Sequence, residues 1–184
     1  MKIVVGITGA SGAILGIKLL EALKDAKVES HLIISRMAEV TIKAEVGIDP
    51  DQVRSMANHS YSPDGVETKL ASGSFRHDGM VVIPCSMKTM AAIANGYSSE
   101  LISRAADVTL KEKRKLIIVP RETPMNIIHL RNMLTLAEAG AVILPPMPAF
   151  YTKPKNVDDI VSYVVGKVLD VLDIPNNIFT RWDN

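Results

Sequence analysis

A chain of 184 residues, 47% of them apolar, is long enough to bury a sizeable core within one domain. A formal net charge of +1 and an aromatic content of 4% argue against a broad nucleic-acid-binding surface. One cysteine, no bilayer-length apolar run and no signal-peptide architecture exclude disulfide scaffolds, cysteine-based zinc sites and membrane spans, and predict a cytoplasmic protein.

The apolar run Ile3-Val4-Val5 predicts a first strand, followed by the tight turn Gly6-Ile7-Thr8-Gly9-Ala10-Ser11-Gly12. A helix is expected over 13–24, with Ile14, Leu15, Leu19 and Leu23 on its apolar face. Such a turn aims backbone N–H groups and a helix N-terminus at one point, which favours a phosphate there. Small residues also occur in such turns because the next helix must pack closely. A second strand spans 29–34 and ends at Ser35-Arg36, a short helix runs through 41–45, and Asp49-Pro50-Asp51 opens another. Residues 58–78 are the least regular, with one strand expected at 66–70 and a functional loop at Ala71-Ser72-Gly73-Ser74-Phe75-Arg76. Met80-Val81-Val82-Ile83-Pro84 reads as a buried strand ending in Cys85-Ser86-Met87-Lys88-Thr89, with helices following over 88–95 and 99–113. The strand at 116–120 ends at Arg121-Glu122, and a helix over 126–138 is stopped by Gly140. A last strand at 141–144 and a final amphipathic helix from about 157 to 172 complete the pattern.

Strands alternating with helices predict an α/β fold: a doubly wound, Rossmann-like or flavodoxin-like parallel sheet in three α-β-α layers, a single domain over 1–184. Ligands of such sheets bind beyond the carboxyl ends of the strands. Those ends carry Gly9-Ala10-Ser11, Ser35-Arg36, Ser86 to Thr89, Arg121-Glu122 and Tyr151, a rim of glycines, hydroxyls and cations suited to an anion.

Several chemistries compete for these residues. The glycines Gly6, Gly9 and Gly12 do not spell the dinucleotide fingerprint, and no Gly-Lys-Ser/Thr closes the first turn as a P-loop requires. Tyr163 and Lys167 form the Y-x-x-x-K pair of short-chain dehydrogenases, but on the last helix of a short chain, where chance pairing is common. Cys85 after an apolar strand reads as a buried thiol rather than a nucleophile served by His77 or His129. Arg104 and Lys111 share one helix face, either as a solvated ladder with Glu100 and Asp107 or as a cationic clamp on a phosphate. Arg121-Glu122 directly after a strand can bind a group or pass a proton, or can be merely a local ion pair.

Taken together, these segments resemble the flavin prenyltransferase family of the UbiX type, including its phenolic-acid decarboxylase small-subunit branch. The likeness runs through Gly6–Gly12, Ser72-Gly73-Ser74-Phe75-Arg76, Ile83–Thr89, Arg104 to Val108, Leu110-Lys111-Glu112, Val119 to Glu122, His129 to Met133 and Pro145–Tyr151. The resemblance implies FMN bound between subunits of a homo-oligomer, typically a dodecamer. It implies transfer of a dimethylallyl group from dimethylallyl phosphate to N5 and C6 of reduced FMN, the product serving a UbiD-type aromatic acid decarboxylase. It implies no metal. Gly9, Ala10, Ser11, Ser35, Ser86, Met87, Lys88, Thr89 and Arg121 match positions that contact FMN. Arg104, Lys111, Tyr151, Lys167 and Trp182 match the surroundings of the prenyl phosphate, which favours the phosphate clamp over the solvated ladder. Ser11, Glu45, Lys111 and Glu122 match catalytic positions, Glu122 being the candidate for proton transfer at C6 and Ser11 for assistance at N5. The helix and tail over about 157–184 are expected at the active site and in subunit contacts. Lys167 stands where many relatives have arginine, and Arg131 where many have glutamate. The competing readings are a flavin-dependent cysteine decarboxylase, for which Pro124-Met125-Asn126 matches part of a motif, and a non-catalytic FMN carrier subunit.

Overall fold

The computed structural model describes residues 1–182, so the last two residues of the expected 1–184 domain lie outside the described residues. Six parallel strands form one sheet, β1 (Lys2–Ile7), β2 (Glu29–Ile34), β3 (His59–Tyr61), β4 (Gly79–Cys85), β5 (Lys115–Pro120) and β6 (Val142–Ile143), in the order β3-β2-β1-β4-β5-β6. The seven helices are α1 (Ala13–Asp25), α2 (Arg36–Val46), α3 (Pro50–Met56), α4 (Met87–Ala94), α5 (Leu101–Lys111), α6 (Ile127–Glu138) and α7 (Val157–Val171).

Two-residue periodicity sorts the central strands onto two cores. Ile3, Val5 and Ile7 of β1 join Val81 and Ile83 of β4 against Leu19 and Leu23 of α1 and Val161, Val165 and Val168 of α7. Val4, Met80 and Val82 face the opposite side, against Met90 of α4, Leu101 and Ile102 of α5 and Leu136 of α6. The result is the expected three-layer doubly wound sheet. Strand order reverses between β1 and β4, so the crevice outside their carboxyl ends receives the turn after β1 and the loop after β4.

The irregular stretch differs from its expected form. Residues 66–70 are turn and a short 3-10 helix (Lys69–Ala71) in which Leu70 is buried, not a strand. The sheet edge is supplied instead by His59-Ser60-Tyr61, which pairs in parallel with β2 through His31↔His59 and Ile33↔Tyr61. Three polar-leaning residues at an edge carry no apolar run, so hydropathy does not reveal them. The loop after Ala71 is pinned by cations: the Arg114 guanidinium donates to the Gly73 and Phe75 carbonyls at 2.8 and 2.7 Å, and Arg104 Nε donates to the Ala71 carbonyl at 3.2 Å.

Candidate active site

At the N-terminus of α1, where the turn sequence favoured a phosphate, the Glu45 carboxylate already accepts from the Gly12 and Ala13 amides at 2.8 and 3.2 Å. This corrects the phosphate expectation at that helix: the orphan N–H groups and the helix dipole are satisfied by a side chain from the last turn of α2. Partial burial pushes the Glu45 carboxyl up, but the Ser11 hydroxyl beside it, the two amides and the nearby Arg121 charge together hold it below its ordinary value. Ser11, Glu45 and Arg121 are thereby brought together at the carboxyl ends of β1 and β5.

The loops after β1 and β4 are tied to each other. The Thr8 hydroxyl, fully buried, donates to the Pro84 carbonyl at 2.7 Å and accepts from the Ser86 amide at 2.8 Å. Ser86 caps α4 by accepting from the Thr89 amide at 3.3 Å, and Ser35 caps α2 by accepting from the Ala38 amide at 3.2 Å. Both caps open onto one cleft of about 500 Å³, lined also by Gly9, Met37 and Thr89. Two helix N-termini converging on one space are the anion site this rim offers. Its cations stand at the mouth, each held by an acid: Arg36 on Asp64 at 2.6 Å and Lys88 on Glu100 at 2.7 Å. Gly9 has no alternative here, because a Cβ built on it overlaps Met37 of α2. The hydroxyls of Ser35, Ser86 and Thr89 and the close-packed Gly9 turn on this cleft fit a flavin mononucleotide.

A second set of expected residues forms an aromatic corner. Tyr151 packs edge-on against Trp182 at 5.0 Å and against Tyr163 at 6.2 Å, and Phe179 lies edge-on to Tyr163 at 5.3 Å. The tail that delivers Phe179 and Trp182 crosses α7 at Gly166, where a Cβ would overlap the Phe179 ring. Asp170 anchors it, accepting from Arg181 at 2.8 and 3.1 Å and from Asn176 at 3.0 Å, with Lys167 at 3.4 Å. Lys167 and Arg181 meet at Asp170, and the Arg181 guanidinium lies over the Phe179 ring at 4.8 Å, so two cations flank this corner.

Arg104 and Lys111 stand apart from it. Arg104 pairs with Asp107 at 2.7 Å, and Lys111 ends α5 paired with Glu112 beside Gly73. Glu100, which precedes α5, lines the cleft, and Lys111 lies about 16 Å further along the helix. Glu122 follows β5 and accepts from the Thr123 amide at 3.0 Å, next to Arg121, whose own amide donates to the Cys85 carbonyl at 3.1 Å. Cys85 is fully buried and burial drives its thiol pKa upward, as expected of an inert thiol. Sequence reading placed Thr8 in the glycine turn without its linking role and passed over Met37 and Arg181; Met37 has no motif, and Arg181 is signalled only by its place beside Trp182.

An open parallel sheet with a serine-capped rim at its switch point is the frame of an α/β flavin- or nucleotide-binding protein. The family described as Flavoprotein matches residues 1–169. A flavin prenyltransferase UbiX of Methanocaldococcus jannaschii is 57% identical over 99% of this chain and 98% of its own length. The mitochondrial flavin prenyltransferase PAD1 of Saccharomyces cerevisiae is 51% identical over 99% of this chain and 75% of its own. The crystal structure of AnUbiX (PadA1) in complex with FMN and dimethylallyl pyrophosphate superposes with a TM-score of 0.98 at 51% identity, covering 100% of this chain and 97% of that one. A dodecameric FMN-dependent UbiX-like decarboxylase of Escherichia coli O157:H7 gives 0.97 at 51% identity, covering 99% of both chains. The chain belongs to the Flavoprotein family, among its flavin prenyltransferases of the UbiX type. The peptidyl-cysteine decarboxylase EpiD, 19% identical with a TM-score of 0.66, shares the fold alone.

Proposed function

We propose that this protein transfers the dimethylallyl group of dimethylallyl phosphate to N5 and C6 of reduced FMN, and that a UbiD-type aromatic acid decarboxylase receives the product. The observation that carries this reading is the full-length likeness, at 51% identity, to a structure holding both FMN and dimethylallyl pyrophosphate. Reduced FMN, when bound, supplies the nucleophilic N5 and the ring carbon C6. Ser35, Ser86 and Thr89 hold the FMN phosphate at the N-termini of α2 and α4, Met87 and Lys88 border it, and Gly9, Ala10, Ser11 and Arg121 receive the ring. Lys167, assisted by Arg181, stabilises the departing phosphate, and Tyr151 and Trp182 offer π faces to the allylic cation. Ser11, held beside ionised Glu45, moves a proton at the N5 end. Glu122 accepts the proton lost from C6, matched by the proton that the prenyl double bond takes up as its tertiary carbon joins C6, so that the flavin gains C5H8 in all.

A role for Arg104 and Lys111 on the prenyl phosphate then requires α5 of a second subunit, since within one chain they face Ala71 and Gly73. Exposed Ile128, Leu130 and Leu134 on α6, with Met147 and Phe150 beyond it, supply apolar surface for such an assembly, and a UbiX-like relative is dodecameric. The test is anaerobic: FMN, reductant and either dimethylallyl monophosphate or pyrophosphate are added to the full chain, and extracted flavin is weighed by mass spectrometry. A gain of one C5H8 unit, reduced by about 10²-fold or more in Glu122→Gln, is expected. Unmodified FMN with both donors returns the protein to a flavin carrier or a cysteine decarboxylase.

A further inference from the structure

We propose that Glu29, His31 and His59 form a binding site for a divalent transition-metal ion of the zinc class, near the amino ends of the strands and away from the flavin rim. Their donor atoms all lie within 4.8 Å of one another. The fold produces this grouping directly. Glu29 and His31 are two apart on β2 and share a face, and the parallel register sets His59 of β3 beside His31. Both imidazole Nε2 atoms converge on one oxygen, Glu29 Oε1, at 3.0 Å from His31 and 3.3 Å from His59.

The surroundings suit a metal ligand set. The Tyr61 hydroxyl sits 2.9 Å from His31 Nδ1, the outer partner that fixes a ligating imidazole's orientation. The His31 ring is fully buried, stacked on His59 at 4.6 Å and edge-on to Phe75 at 5.0 Å, so it cannot drift. His59 is half-exposed, and its open side gives an ion a way in and room for water to complete four-coordination. Lys24 and Lys27 line the cleft that Glu29 and His59 share. Lys2 holds the other carboxylate oxygen, Oε2, at 3.5 Å from a half-exposed side chain, and Lys69 lies over the Phe75 ring at 4.8 Å. Two imidazoles and one carboxylate favour zinc, cobalt or nickel over magnesium or calcium, which prefer all-oxygen shells. An ion here staples the three-residue edge strand β3 to β2.

The experiment uses the untagged full chain in its native assembly, stripped with a chelator and titrated with Co2+ alone, then with Zn2+. Expected are one Co2+ per chain with ligand-field absorption, its displacement by Zn2+, and a rise in Tm with Zn2+. His59→Ala and Glu29→Gln each weaken Co2+ binding by about tenfold or more while FMN affinity stays unchanged, which shows the fold is intact. Absence of ligand-field bands, or Co2+ affinity equal to wild type in both variants, overturns the site.

Discussion

Glu45 supplies, from within the chain, the anion that the first helix N-terminus attracts, and this single carboxylate links fold stability to the proposed reaction. Its position on the Gly12 and Ala13 amides is worth about 0.3–1 kcal/mol as a helix-dipole contact. Its folded pKa lies below the ordinary 4.5, so its stabilisation is fully present above that value and is lost as pH falls through the lower folded value. Glu45→Gln is therefore expected to lower Tm slightly at neutral pH and to flatten the acid limb of the Tm-against-pH curve below about 4.5. If Glu45 orients Ser11 for proton transfer, the same variant lowers prenyl transfer by about 10²-fold with FMN affinity nearly kept. Unchanged turnover would leave Glu45 as a helix cap only. Lys167 and Arg121 bear on the same distinction: their residue types hint at an anion, but only the fold separates the cation at the aromatic corner from the one beside Glu45.

At the scale of elements, the C-terminal tail is a strap over α7, packed on Gly166 and Tyr163 through Phe179 and tied by charge at Asp170. Asp170 receives Arg181 through two hydrogen bonds and Asn176 through a third, and this holds Trp182 against Tyr151. Exposed ion pairs of this kind contribute about 0–1 kcal/mol to global stability, so Asp170→Asn is expected to shift Tm little. Its effect falls on the donor: the KM for dimethylallyl phosphate rises severalfold while FMN affinity holds, and tryptophan fluorescence reports a more solvated Trp182. Equal KM values would detach the tail from the donor site. Helices α1, α5, α6 and α7 were legible from apolar periodicity and β4, whose seven residues are all buried, from its continuous apolar run, whereas of α2 only 41–45 was read as helix. His59-Ser60-Tyr61 was not legible, since an edge strand exposes the alternation that would identify it, and Val66–Leu70 misled because short apolar pairs also anchor loops. The Glu29-His31-His59 grouping was hidden for the same reason: its third member becomes a neighbour only through the register of β3.

For the whole molecule, the decisive question is which groups meet only when copies assemble. The motif order identified Arg104 and Lys111, yet the chain alone commits them to Asp107, Ala71 and Glu112; of the solvated ladder only the Arg104–Asp107 rung forms, since Glu100 pairs with Lys88. Both descriptions hold if α5 of one subunit faces the aromatic corner of another. That arrangement makes a prediction no single-chain site can satisfy. Lys111→Ala and Glu122→Gln are each expected to lose prenyl transfer when assembled from one kind of chain. Dissociated and reassembled at equal amounts, the two inactive proteins regain about a quarter of wild-type activity, because a site drawing Lys111 from one subunit and Glu122 from its neighbour finds both intact at that frequency under random mixing. Mixing without dissociation gives no recovery, which controls for contamination. If Lys111 and Glu122 serve one site from the same chain, reassembly restores nothing, and α5 acts within its own subunit as a brace for the Ala71–Arg76 loop.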